Sequence, residues 1–454
     1  MPEVPVKLYV DKLLKDIKKM TDQLARLSGP TKDRALRAMA ERLAAEEEAI
    51  LAANKKDVDA LGKSFESEPN KDRLQAAVAR VSMKAGDVKE MAERLRAIAD
   101  LPDPVGAVTS RWERPDGLQV SRVRVPIGVI GIISEMKPLV TVESIALCMK
   151  AGNPCLFRGA PEWALTHQAI GKGIREAAEQ NGVPPGAWVL LERPEKDVAI
   201  ELIRAGKSLD AIIPRGGAGL RKAVFEGARM PVLCHDGGLT HLYVDAEANL
   251  PLVQNLVINS KVQEAGAANA LDTLLVQQVI ARQFLPALIN RLLVEFKIQV
   301  RGCSKTVALL GQMPISGHTS ITPAAEDDWD KQFQAPVLAV KMVVDMAEAL
   351  AHIARHGPCL TAVIATSLYD SALRFTREVD AGTVIVNASS RLNAADSFGF
   401  GSEIGLSGSR LHAKGPIGLE QLTCEKYVCF GSGQLRLPHP VPEAYFDAIM
   451  LKRP

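Results

Sequence analysis

The chain has 454 residues, 47% hydrophobic and 24% charged, with 55 Lys and Arg against 53 Asp and Glu for a net charge of +2. That length provides two or three domains with a large core, and the composition excludes a disordered or fibrous chain. Near-neutral charge gives no bulk attraction to nucleic acid or an anionic membrane, so partners must be argued from sites. Residues 6–99 read as three or four amphipathic helices, with Leu36, Met39, Ala40 and Leu43 at helical spacing and breaks near Gly29-Pro30 and Ser67 to Asn70. The first thirty residues carry Lys15, Asp16, Lys18, Lys19 and Asp22, which no signal peptide's apolar segment resembles. The best apolar run, Val125 to Ile133, is interrupted by Pro126, Gly128 and Gly131 and falls well short of the roughly 20 residues that cross a bilayer.

After Asp100, Pro102 and Pro104 punctuate the chain, and residues 118–125 alternate apolar and polar like a half-buried strand, an edge or interface ribbon. From Val125, Val- and Ile-rich runs alternate with helical stretches: strand 129–133, helix 142–150, strand 154–157, helix 161–180, strand 189–191. That alternation predicts βαβ units, a mostly parallel sheet with helices on both faces. A second α/β block opens near Asp245, with strands at 274–276, 337–343 and 361–365 and helices at 285–295, 346–355 and 369–379. Met313 to Glu326 is the most loop-like segment, a candidate mobile crossover. The chain then turns glycine-rich and ends in a strand-like 426–430, a ribbon suited to a neighbouring subunit. The seven cysteines, Cys148, Cys155, Cys234, Cys303, Cys359, Cys424 and Cys429, form no CxxC pair, so reduced thiols in a cytoplasm are expected, with no disulfide and no structural zinc.

Three segments carry chemistry. Asp210-Ala-Ile-Ile-Pro-Arg-Gly-Gly-Ala-Gly-Leu220 runs from an apolar strand through a glycine turn into a helix, an anion pocket to which Arg215 adds charge; Lys222 breaks the G-x-G-x-x-G pattern, and a plain strand-to-helix turn competes. Strand 129–133 ends in Ser134-Glu-Met-Lys-Pro138, placing Glu135 and Lys137 where open α/β sheets bind ligands; a surface ion pair is the competing reading. Asn387-Ala-Ser-Ser-Arg391 and Phe398-Gly-Phe-Gly-Ser-Glu403 bring small residues near an arginine suited to carboxylate or phosphate, against a tight interdomain connection. His235, His241 and His412 stand in no metal-ligand spacing, so no metal is assigned.

Together these segments resemble the γ-glutamyl phosphate reductases of proline biosynthesis, a branch of the aldehyde dehydrogenase superfamily, from about Arg34 to Arg436. The resemblance rests on Val125-Pro-Ile-Gly-Val-Ile-Gly131, Ile213-Pro-Arg-Gly-Gly-Ala-Gly-Leu220, Asn269-Ala-Leu-Asp-Thr-Leu-Leu-Val276, Val386-Asn-Ala-Ser-Ser-Arg391, Phe398-Gly-Phe-Gly-Ser-Glu-Ile-Gly405 and Leu411-His-Ala-Lys-Gly-Pro416. It implies an α/β, aldehyde dehydrogenase-like fold: two doubly wound, mostly parallel sheets plus a small β-ribbon for oligomerisation. The implied division is a cofactor-binding domain at 1–115 and 126–244, a catalytic domain at 245–385, and a returning segment and ribbon at 116–125 and 386–454. The implied reaction is NADPH-dependent reduction of γ-glutamyl 5-phosphate to glutamate 5-semialdehyde by a cytoplasmic homo-oligomer, dimer or tetramer, with no nucleic-acid or membrane partner.

The family's nucleophilic cysteine falls on Ala268, beside Asn269, whose backbone N–H would help hold an oxyanion. Glu135, Lys137, Arg215, Asn387 and Arg391 are the implied substrate residues; Arg158, Gly159, Pro161, Gly216, Gly217 and Gly219 are the implied NADPH/NADP residues. Other positions depart as well: Glu264-Ala265 replaces Arg-Pro, Pro161 replaces a cofactor lysine, Lys137 replaces an arginine, and Cys359-Leu-Thr-Ala362 replaces Gly-His-Thr-Glu. A catalytically inactive homologue that binds or scaffolds a partner protein is therefore the alternative expectation. Relocation of the nucleophile to Cys234 and a metabolite sensor are weaker ones.

Overall fold

The computed structural model describes residues 4–64, 71–193, 195–233, 238–313 and 321–436. Six helices precede residue 101, where three or four were expected: Val6–Lys18, Thr21–Ala25, Gly29–Ala45, Glu47–Ser64, Lys71–Val81 and Ala85–Asp100. The break before Gly29 is set by a local cap. Ser28 Oγ accepts the Thr31 N–H at 3.3 Å and Pro30 occupies the first turn. Leu36, Met39 and Leu43 of the third helix and Leu95 and Ile98 of the sixth are buried in one cluster with Ile130, Ile132 and Phe157, which seats this helical layer on the first sheet.

The strands, in chain order, are β1 (Val108–Glu113), β2 (Gln119–Pro126), β3 (Ile130–Ser134), β4 (Cys155–Arg158), β5 (Trp188–Leu190), β6 (Ala211–Arg215), β7 (Leu239–Val244), β8 (Thr273–Gln277), β9 (Gln299–Gly302), β10 (Ile321–Pro323), β11 (Val337–Val343), β12 (Cys359–Ala365), β13 (Ala381–Val386), β14 (Leu406–Ser407), β15 (Gly415–Pro416) and β16 (Thr423–Phe430). Among the described residues the first sheet has the order β5-β4-β3-β6, all parallel. Chain order reverses across β3, so a crevice opens beyond the carboxyl ends of β3 and β6. The second sheet runs β10-β9-β11-β8-β7-β12-β13, again parallel throughout. Val300, Leu274, Leu242 and Val363 are buried completely, as central parallel strands require.

The second sheet begins earlier than the sequence division at 244/245 places it. Strand β7 hydrogen-bonds β8 and β12, so the change of sheet lies between Leu233 and Leu239. The expected crossover at Met313 to Glu326 contains β10 and leads into a short 3-10 turn at Glu326–Asp330; residues 314–320 lie outside the described residues. The ribbon is antiparallel, β1-β2-β16, with β16 registered along all of β2 from Thr423↔Pro126 to Phe430↔Gln119. The period-2 pattern at 118–125 thus marks a strand covered by the C-terminal segment of its own chain. Among the described residues no helix is long and apolar enough to cross a membrane.

Candidate functional site

Two clusters of groups face the sheet ends. The first stands at the carboxyl end of β6. Glu135, just past β3, donates its N–H to Arg215 O at 2.8 Å and accepts the Gly217 N–H on Oε2 at 2.9 Å. A Cβ on Gly216 would lie 2.3 Å from that same oxygen, so a larger residue there would push the Glu135 carboxylate from its place. The turn at the head of helix Ala218–Gly227 therefore already holds a carboxylate. Lys137 caps helix Pro138–Lys150 and is exposed; Gly219 lies within helix Ala218–Gly227 with open space around it.

Beside it, Arg158 at the end of β4 is mostly buried, and burial lowers its pKa while Glu135 and Glu162 favour its charge. Gly159 packs on the His167 ring, 2.3 Å from where a Cβ would stand, and Pro161 opens a 3-10 turn. Gly159 and Pro161 line a cavity of about 390 Å³ together with Leu165, Leu191, Lys172 and Arg175. Its walls combine apolar side chains with Lys172, Arg175, Arg193 and the acidic Glu192.

The second cluster stands at the amino ends of β7, β8, β12 and β13. Ala268 is half-buried, and its carbonyl accepts Gln332 Nε2 at 3.0 Å, with the same amide reaching Gly238 O at 3.2 Å. The Asn269 side chain is fully engaged: Nδ2 donates to Asn393 O at 2.9 Å and Arg391 O at 3.3 Å, and Oδ1 accepts from Arg391 Nη1. Asn393 in turn bridges Thr361 Oγ1 at 2.8 Å and Thr383 Oγ1 at 2.9 Å, locking the segment to β12 and β13. Arg391 is equally committed, giving Nε to Gln263 at 2.8 Å and Nη2 to Glu264 at 2.9 Å. The structure thus joins Ala268, Asn269 and Arg391, and separately joins Glu135, Arg215, Gly216 and Gly217. Asn387 belongs to neither. It follows the carboxyl end of β13 and is spent on Thr366, accepting its N–H at 2.9 Å and donating to its carbonyl at 2.8 Å.

Sequence reasoning passed over Lys261 and Asp272. Lys261 is buried at the end of helix Leu250–Val262, and its Nζ has no hydrogen-bond partner. Burial lowers its pKa to about 8 against the pull of Asp272. Asp272, 1% exposed, accepts the Thr240 and Phe333 N–H groups at 3.0 and 3.1 Å, yet burial pushes it up to about 7. The signal was the stripe Val253, Val257, Lys261, three positions on one helical face of which the third is charged.

None of the described thiols stands beside Ala268 as a hydrogen-bond partner. Cys359 lies 3.6 Å from His241 Nδ1 but is fully enclosed, and burial raises its pKa strongly, so it stays protonated. Cys303 contacts Thr306 at the head of helix Ser304–Gly311; Cys148 and Cys155 are core residues; Cys424 and Cys429 lie exposed on β16. Cys234 and His235 lie outside the described residues. Among the described residues no group of three His, Cys, Asp or Glu is placed to hold a metal ion.

The aldehyde dehydrogenase family matches residues 7–299 and 323–428. The γ-glutamyl phosphate reductase of Moorella thermoacetica is 45% identical over 413 residues, 91% of this chain and 95% of its own length. That of Heliobacterium modesticaldum is 43% identical over 414 residues with the same coverage. The crystal structure of the Thermotoga maritima γ-glutamyl phosphate reductase superposes with a TM-score of 0.87 at 36% identity, covering 94% of this chain and 99% of that one. Two parallel sheets, a carboxylate-bearing glycine turn and a buried Asn269–Arg391 knot thus belong to a frame shared along nearly the whole chain, and the chain belongs to the aldehyde dehydrogenase family, in its γ-glutamyl phosphate reductase branch.

Proposed function

We propose that this chain keeps the nicotinamide dinucleotide site and the γ-glutamyl site of its branch, and that thiol-dependent reduction of an acyl phosphate stops at position 268. The observation that carries the reading is the contrast between frame and reacting atom. Around Ala268 the Gln332 amide N–H and the Asn269 and Asn393 side chains are hydrogen-bonded, and among the described residues the Asn269 N–H has no acceptor, as an oxyanion donor requires. The atom at the focus is a methyl carbon, which cannot displace phosphate from an acyl carbon or carry a thioester.

The dinucleotide fits the first cluster. The 390 Å³ cavity beside Gly159 and Pro161 offers apolar walls with Lys172 and Arg175 beside Glu192, and the Gly217 N–H next to it is held by Glu135, whose carboxylate a dinucleotide phosphate would displace. Arg158, Gly159, Pro161, Gly216, Gly217 and Gly219 are the residues that would hold or adjoin it, and when bound it supplies hydride. The reading extends to a cytoplasmic homo-oligomer, dimer or tetramer. The exposed Trp112, Tyr427 and Phe430 of the ribbon support that assembly.

The test is a fluorescence titration with NADPH followed by an assay of phosphate-dependent NADP reduction with glutamate semialdehyde. Binding without turnover is expected. Turnover by the unaltered chain would remove position 268 from the reaction, and absence of NADPH binding would remove the dinucleotide site.

A further inference from the structure

Between helix Ala85–Asp100, helix Pro138–Lys150 and the segment 394–403 lies a cavity of about 190 Å³, lined by Arg94, Glu143, Arg215, Asp396, Ser402 and Glu403 among others. It is too small for a dinucleotide and large enough for a few heavy atoms. Its wall includes Ala394 and Ala395, which directly follow the Asn393 carbonyl that takes Asn269 Nδ2. The segment that lines this cavity is therefore hydrogen-bonded to the side chain of Asn269, the neighbour of Ala268.

The cavity gathers the carboxylates of Glu143, Asp396 and Glu403 and the guanidinium groups of Arg94 and Arg215 on one lining. Glu143, with only 16% of its side chain exposed, accepts Ser402 Oγ at 3.1 Å. Glu403 accepts the Ala395 N–H at 2.7 Å. Each carboxylate has further acceptor capacity, and the charge of Glu143 adds to the upward shift of Glu403. Burial raises both pKa values, that of Glu403 to about 7, with Arg94 opposing the shift at Glu143 and Arg215 opposing it at both. Arg94 approaches Glu143 at 3.6 Å and Asp396 at 3.8 Å, ion-pair distances too long for hydrogen bonds, so its fork retains donors for an oxyanion. Paired buried acids call for a compact cation with several N–H donors, and the adjacent guanidinium calls for a carboxylate. An ammonium and a carboxylate on one carbon meet both demands.

We infer that this cavity is the recognition site for the α-amino-acid head group of the ligand, with Glu143 and Glu403 receiving the α-ammonium and Arg94 the α-carboxylate. Arg215 bridges this site and the dinucleotide turn, balancing the two acids from the end of β6. The inference rests on the γ-glutamyl reading above and names the residues that would distinguish an amino acid from a plain acyl chain.

The experiment is calorimetry on the full chain with three probes: L-glutamate, glutarate, which lacks the ammonium, and 4-aminobutyrate, which lacks the α-carboxylate. L-glutamate is expected to bind at least tenfold tighter than either, a comparison that needs no variant. Glu403→Gln is expected to erase the preference over glutarate while leaving that over 4-aminobutyrate, and Arg94→Gln to do the reverse. Equal binding of the three probes, no binding of any, or variants that keep both preferences would overturn the assignment. NADPH is titrated on the same samples. NADPH binding with indifferent probes sinks this inference and leaves the dinucleotide site standing; discrimination among the probes without NADPH binding does the opposite.

Discussion

Glu264→Gln tests how this site treats anions. The guanidinium of Arg391 is surrounded by Gln263 Oε1 at 2.8 Å, Glu264 Oε2 at 2.9 Å and Asn269 Oδ1, so its edges are taken and its charge is balanced within the chain. The Glu264 side chain is 66% exposed while that of Arg391 is 15% exposed. An ion pair with one open partner contributes about 0–1 kcal/mol to folding, so the substitution should leave thermal stability nearly unchanged. Its effect on an incoming phosphate is larger. A carboxylate on the far side of the guanidinium, roughly 5 Å from the anion, opposes each unit of ligand charge by about 1–3 kcal/mol at effective dielectric constants between those of water and a protein surface. Removing that charge, while the glutamine oxygen can still accept from Nη2, should tighten binding of inorganic phosphate by about tenfold. Calorimetry at low ionic strength measures it, and the contrast should shrink in about 1 M salt, where the screening length falls to about 3 Å. Equal phosphate affinity in the two proteins, or an advantage indifferent to salt, would refute the claim that Glu264 closes the subsite.

Ala268→Cys should create a thiol that iodoacetamide labels, since the position is half-buried, yet it should restore little turnover until Glu264 is also replaced; a single variant with family-level activity would show the methyl to be the whole obstacle. Pro161→Lys should tighten NADP over NAD at least several-fold by adding a cation to the 390 Å³ cavity, read by fluorescence titration, and an unchanged ratio would place the 2′-phosphate elsewhere. Stability should fall on acidification from pH 6.5 toward 4.5. Burial depresses His167 to about 4, His241 to about 3 and His352 to about 2, so the unfolded chain takes three protons that the fold refuses. Asp272 and Glu403, raised to about 7, bind protons in the fold across the same range and offset two of the three. Glu143, also raised by burial, offsets part of the third, so the net of at most about one proton gives a loss of no more than about 1.4 kcal/mol per pH unit in urea melts, and a rising profile would contradict it.

The fold was legible because its signals are local. Runs such as 337–343 and 346–355 are bounded by turn residues and alternate in the βαβ manner, and both coincide with observed elements. Strand β7 was missed as the opening of the second sheet because Leu239 to Val244 is buried on both faces and carries no periodicity that distinguishes one sheet from the other. The site was legible only where its residues are consecutive. Gly216 and Gly217 declare a helix-start turn, whereas the partnership of Asn269 with Arg391 spans 122 positions. Asn387 shows the converse error: it adjoins Arg391 in sequence but, at the end of a strand, serves Thr366. Lys261 and Asp272 were invisible as a pair because what marks them is shared burial, a property of the folded packing.

The departures from the family pattern are seated in their surroundings rather than left as lesions. Glu264 meets Arg391, Pro161 occupies a helix-start position where a missing N–H costs nothing, and Leu360 and Ala362 are buried completely within β12. A site that had lost a single nucleophile would be expected to keep its anion-binding arginine open. Here the guanidinium is closed by a carboxylate from the same turn that carries Ala268. The cavity at Arg94, Glu143 and Glu403 has no such closure, since Arg94 stands 3.6 Å from its nearest carboxylate. The two arginines thus differ, one held by a carboxylate of its own chain at 2.9 Å and the other 3.6 Å from its nearest carboxylate. That asymmetry is what a protein would show if it still binds an amino acid and no longer activates its acyl group.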